Sequence, residues 1–156
     1  MRTRLLRTFL FALPLLALAA AACAQEALKL VAGTPPEALK QCGDCHMIFP
    51  AQMLPQRSWR ALMGMLDDHF GDIASVPDAD AADILAYLTA HAADSPAATA
   101  RERHFLGALA ADAVPLRITR TPWWNQMHAD FDFEGVRRTP VKTASNCLGC
   151  HPSGVK

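Results

Sequence analysis

Cys42-Gly43-Asp44-Cys45-His46 and Cys147-Leu148-Gly149-Cys150-His151 are the two stretches from which the rest of this chain is read. Four of the five cysteines form these two C-x-x-C pairs, and a histidine follows each pair at once. C-x-x-C-H is the attachment pattern of c-type haem. Two thiols add across the two vinyl groups of one haem edge, and two intervening residues on a helical turn set the sulfurs at that separation. The adjacent histidine then lies under the ring and offers a nitrogen to the iron. The expected cofactors are two covalently bound haem c. Cys42, Cys45 and His46 would hold one, and Cys147, Cys150 and His151 the other. Gly43 and Gly149 read as leaving room for backbone to approach the porphyrin.

Other uses of paired cysteines fit less well. A disulfide needs no histidine after both pairs. One zinc ion on all four sulfurs would join pairs about 100 residues apart, far beyond ordinary ligand spacing. A thioredoxin-like motif needs a surrounding βαβ pattern, and none is visible.

The N-terminus agrees with haem attachment outside the cytoplasm. Arg2, Arg4 and Arg7 precede or interrupt an apolar run from Leu5 to Ala22, and Ala22-Cys23-Ala24 fits a small-x-small cleavage pattern. Residues 1–24 are therefore expected to be a signal peptide, with a mature chain from Gln25 in the periplasm. Lipoprotein anchoring at Cys23 is the lesser alternative, because the usual leucine three residues upstream is missing. No later segment is long and apolar enough to span a membrane. Over the whole chain, 15 basic and 15 acidic side chains cancel. Removing the three arginines of 1–24 leaves 12 basic against 15 acidic, about −3, and haem propionates would add to it. Such a charge argues against nucleic acid, which needs a basic face, and suits a partner with a basic docking surface.

Between the motifs the pattern is helical, with no convincing strand alternation, so the fold class is all-α. Thr34-Pro35-Pro36-Glu37 starts a helix that runs into the first motif. Pro50 and Pro55 mark residues 47–57 as a loop. Ser58 is expected to cap a helix to Phe70, with Trp59, Leu62, Met63, Leu66 and Phe70 on one face and Gly71 as its stop. Pro77-Asp78 opens a third helix, ending near Ala93. Asp94 to Ala100 reads as a linker, dividing the chain into haem-bearing halves at 25–95 and 96–156. Residues 101–110 read as weakly helical, Thr121-Pro122 as a short helix start, and 132–142 as irregular. With so short a mature chain, the haems themselves should supply much of the buried apolar surface.

The sixth iron position decides function. Methionine raises the potential, a second histidine lowers it, and an open site permits ligand binding. His69, His91, His104 and His128 remain as candidates. His69 lies at a helix end beside Gly71, which lets the chain aim the ring. His128 follows Trp123-Trp124-Asn125-Gln126-Met127, whose aromatics suit a haem wall. These two are favoured as iron ligands. His91 and His104 stand as substitutes, as does Met53 in the proline-rich loop; Met63 and Met65 suit core packing instead. Trp59 and Trp124 are expected to wall the haem pockets.

At this point the chain resembles the small bacterial dihaem cytochromes c. Beyond the first motif, the likeness runs through Leu54-Pro55-Gln56-Arg57-Ser58-Trp59 and Leu66-Asp67-Asp68-His69-Phe70-Gly71. It continues in His91-Ala92-Ala93-Asp94, Arg117-Ile118-Thr119-Arg120-Thr121-Pro122-Trp123 and Asn146 to His151. The resemblance covers nearly all of the mature chain. It implies an N-terminal half similar to a class I cytochrome c, a less regular C-terminal half, and bis-histidine iron at both sites, using His46, His69, His128 and His151. It also implies an electron donor to other periplasmic or membrane-bound haem proteins, including a small oxygen-binding one. Relatives end in an acidic tail, whereas this sequence stops five residues after His151. The expectation is a monomeric electron carrier with no catalytic residue and no small-molecule substrate. The competing readings are a dihaem peroxidase- or reductase-like enzyme and a gas or redox sensor, each needing one open haem site.

Overall fold

Four proline-marked starts frame the architecture of the computed structural model, which describes residues 34–152. The expected signal peptide, its cleavage site and Cys23 lie outside the described residues. Within them all regular structure is helical, as expected, apart from one isolated bridge between His69 and Asp72.

Helix α1, Pro36–Cys42, begins at Pro35-Pro36, with Glu37 in the first turn and Lys40 in the last, each complementing the helix dipole. The first C-x-x-C pair therefore begins on its last residue. Thr34 and Tyr87 share a 3.2 Å hydroxyl hydrogen bond, which ties this start to α3. Residues Ala51–Met53 form a single 3₁₀ turn after Pro50.

Helix α2 is Gln56–Met63, earlier at both ends than expected. Ser58 does not cap it: its hydroxyl is buried inside the helix without a partner. Pro55 stands at the N-cap, and the Asp94 carboxylate accepts from Gln56 N–H at 2.7 Å, a capping bond supplied by a distant residue. Gly64 ends α2, and Leu66–Asp68 turns as a separate 3₁₀ unit. Periodicity alone joined the two, because their apolar residues share spacing across the break.

Helix α3, Asp78–Ala90, opens after Pro77 as expected and buries Ile84 and Leu88. The chain then turns inward: Ala92 and Ala93 are fully buried and Ser95 is 1% exposed. The stretch read as a linker is thus packed at its start, where Asp94 is half-buried and Ser95 is buried, while Pro96, Ala97, Thr99 and Ala100 are exposed. Ala93 N–H donates to Leu54 O at 3.2 Å. Arg57 pairs with Asp94 at 3.4 Å and donates onward to Ala113 O and Ala110 O at 2.6 and 3.2 Å. Small and polar residues that suit a free linker equally suit a tight crossing where backbones approach closely.

Helix α4, Ala100–Arg103, carries a capping box in which Thr99 and Glu102 bond reciprocally. Helix α5, Pro122–Met127, starts as expected at Thr121, whose hydroxyl accepts from Trp124 N–H. Helix α6, Phe133–Val136, falls in the stretch expected to be irregular; Asp132 caps it through Gly135 N–H at 3.0 Å. Helix α7, Cys147–Cys150, is the second haem-motif turn, capped by Asn146. The main core joins α1, α2 and α3 through Ala38, Leu54, Trp59, Leu62, Ile84 and Leu88, with Leu116 and Ile118 packed on its side.

Candidate haem sites

The first site is built where α1 ends and the turn after α2 returns. His46 follows α1, and its Nδ1 lies 2.7 Å from Met47 O. A carbonyl only accepts, so Nδ1 carries the proton and the Nε2 lone pair is left for a metal. His69 sits between the 3₁₀ turn Leu66–Asp68 and a tight reversal closed by His69 N–H to Asp72 O at 2.7 Å. Burial holds this imidazole below its usual range, with His46, then Arg117, adding in the same direction and Asp72 opposing. Its Nδ1 is buried and has no hydrogen-bond partner. The two rings stand 6.3 Å apart between centroids, tilted by 30°.

The second site assembles from α5, α6 and α7. His128 caps the C-terminal end of α5. Its ring stacks on Trp124 at 4.3 Å and 21°, and Nδ1 donates to Trp124 O at 2.9 Å, which again frees Nε2. His151 follows α7, and its ring centroid lies 6.2 Å from that of His128, the planes at 87°. A cleft of ≈ 310 Å³ opens between them, lined by Met53, Ile118, Trp124, Phe133, Cys147 and Cys150 among others.

Both spacings fit one iron between each pair. Two metal–nitrogen bonds of about 2.0 Å and about 1.1 Å from each ring nitrogen to its centroid add to roughly 6.2 Å. The burial that holds His69 below its usual range also matches the need for a deprotonated ligand nitrogen. The four cysteines form no disulfide. Burial pushes the Cys42 and Cys147 thiols up, disfavouring thiolate there; a thioether has no charge to desolvate.

Every favoured histidine is thus brought into a pair, and the substitutes are not. His91 is exposed at the end of α3 against Tyr87, and His104 is exposed at the start of the 3₁₀ turn His104–Leu106. Met53 is 4% exposed and stands in the wall of the second cleft, although it comes from the loop after the first motif. Trp124 lies where expected, on the second cleft. Trp59 is placed in the core, its indole N–H donating to Ala51 O at 2.7 Å; Cys42 and Phe49, at the edge of the first site, pack on that same cluster. The glycines have a nearer reason than porphyrin clearance. A side chain at Gly43 would collide with the Leu39 carbonyl, and one at Gly149 would press on Val141 at 3.0 Å. Sequence reasoning missed Phe133 beside His128, and Arg117 over Phe70, because a fold-level approach leaves no local motif.

Comparison with known proteins gives this geometry its context. The family model for dihaem cytochrome c matches residues 38–156. Among solved structures, a diheme cytochrome c from Rhodobacter sphaeroides is 40% identical with a TM-score of 0.67, covering 76% of this chain and 90% of its own. A diheme cytochrome from Shewanella baltica is 32% identical with a TM-score of 0.58, covering 75% and 80%. None of the curated proteins compared matches the chain. With a family model spanning most of its length and two C-x-x-C-H turns in place, the chain belongs to the dihaem cytochrome c family, haem proteins of electron transfer, and carries two covalently attached c-type haems.

Proposed function

We propose that this protein is a periplasmic electron carrier in which histidine pairs close both irons, His46 with His69 and His151 with His128. The observation that carries the reading is the equal separation of the two ring pairs, 6.3 and 6.2 Å, each the span of one iron. Bound haem supplies a one-electron ferric–ferrous couple. The chain's part is to hold that couple without opening it. Met47 O and Trp124 O orient one imidazole of each pair, and Trp124 and Phe133 pack beside the His128 ring. With His46 and His69 holding one iron and His151 and His128 the other, no place would be left for a substrate, and electrons would pass without a bond to iron.

The partner class follows from charge. Residues 34–95 carry nine acidic and three basic side chains, and residues 96–152 carry five and seven, so net charge runs from about −6 to about +2. A partner haem protein with a basic face would be steered to the first half.

Spectra of site variants test the ligation. The native protein should be low-spin at both irons, with no methionine–iron charge-transfer band and no prompt CO adduct. His69→Ala and His128→Ala should each create one high-spin, CO-binding iron and leave the other unchanged. Two low-spin irons in either variant would remove that histidine from the ligand set.

A further inference from the structure

The two histidines that come from outside the haem motifs are held differently. His128 is fixed by its own helix, through a ring hydrogen bond and a stack on Trp124. His69 has neither: its Nδ1 is buried without a partner, and its ring neighbour besides His46 is Phe70, at 4.8 Å. Phe70 is itself strained. It sits at φ 62°, followed by Gly71 at φ 101°, in a reversal whose two central positions both favour glycine or asparagine. A phenylalanine there is held by something outside the turn.

That something is Arg117. Its guanidinium carbon stands 3.8 Å over the centre of the Phe70 ring. Arg117 is extended, at φ −132° and ψ 128°, between Leu116 and Ile118, which both pack against the core. Alternation along an extended chain sends its side chain away from those two. A continuous line of contacts therefore runs from the core through Arg117 and Phe70 to His69. Asp68 contributes a second hold, its carboxylate accepting from Gly71 N–H at 3.0 Å.

We propose that Arg117, from the second half of the chain, is a positioning residue for the first iron, clamping Phe70 so that the strained turn keeps His69 on the metal. This rests on His69 being the ligand. When the clamp is removed, the turn relaxes toward the detached state, and the bond opens more often.

The test uses the intact dihaem protein in its ferrous form under saturating CO, where slow uptake at a closed iron reports how often its histidine leaves. Arg117→Ala should speed uptake at one haem of the two by about two- to fivefold, the range expected for an exposed cation–π contact. Phe70→Leu should do the same with the arginine retained, and the double variant should add nothing further. Arg117→Lys, which keeps charge but loses the planar stack, should fall between. In ferric spectra only the low-spin signal abolished by His69→Ala should shift, with the second signal as the control for folding. Unchanged CO uptake and an unchanged His69 signal in Arg117→Ala would overturn the proposal. So would a change in the first potential without a change in uptake, because that would make Arg117 a charge acting at a distance. Loss of the ligand reading itself would show separately, as a His69→Ala variant that stays low-spin at both irons.

Discussion

The two haem sites place their histidines at nearly the same separation on quite different supports. At the first, the motif histidine comes first in the chain and its partner follows; at the second the order is reversed. The first is braced by three packed helices, whose core includes Trp59, Leu62, Ile84 and Leu88. The second is built from α5, α6 and α7, helices of six, four and four residues, with Trp124 and Val136 as its large buried apolar side chains. Helices this short do not stand alone in water. Their apolar side chains line a cleft that a haem held there would fill, whereas the first site adjoins a core made of protein. Equal ring separation thus says little about how each site is stabilised.

The sharpest way to break this contrast is to remove attachment at one site. Cys147→Ala with Cys150→Ala should cost one haem, leave the first haem's spectrum in place, and make residues 128–152 the main site of limited proteolysis. The reverse pair, Cys42→Ala with Cys45→Ala, should leave most helical circular dichroism intact. Equal collapse in both would mean that the N-terminal core also depends on its haem. A smaller effect is expected from the tryptophans. Trp59→Ala should lower stability by about 3–5 kcal/mol, seen in denaturant titration at both haems. Trp124→Ala removes a stack on His128 instead, and should loosen the second haem's transition before the first. Coincident transitions in both variants would show that the sites unfold as one unit. The smallest effect belongs to the seam between the regions. Asp94→Ala removes the cap on α2 and the Arg57 pair, and should cost about 0.5–2 kcal/mol in the same titration. No loss of stability would mean that buried Ala92 and Ala93 hold the crossing without it.

Much of the site was legible because its chemistry is local. Haem attachment needs two sulfurs and a histidine on one turn, and five consecutive residues state it. Helix starts at Pro36, Pro77 and Thr121 were readable for the same reason, since a fixed φ or a capping hydroxyl acts within one turn. The end of α2 was not readable, because Leu66 and Phe70 continue its spacing past Gly64. The cap on α2 was out of reach as well: Asp94 lies 38 residues from Gln56. The packing of Asp94 and Ser95 at the start of 94–100 was out of reach for a related reason, as a serine in a crossing resembles one in a loop. Thr99-Ala100-Arg101-Glu102 did carry the spacing of a capping box, and it went unread.

By itself, the sequence determined the cofactor class, the number of haems and the all-α character, because covalent attachment and helix formation are decided within a few residues. Tertiary structure decided which histidines face each other. His69 meets His46 only because the turn beyond α2 folds back over the end of α1, and His128 meets His151 only because three short helices close on one cleft. It also placed Met53 in the wall of the second cleft and Arg117 over Phe70. The physical reason is the same in each case: a side chain's partner across the fold is set by packing between elements, which leaves no periodicity or motif in the chain.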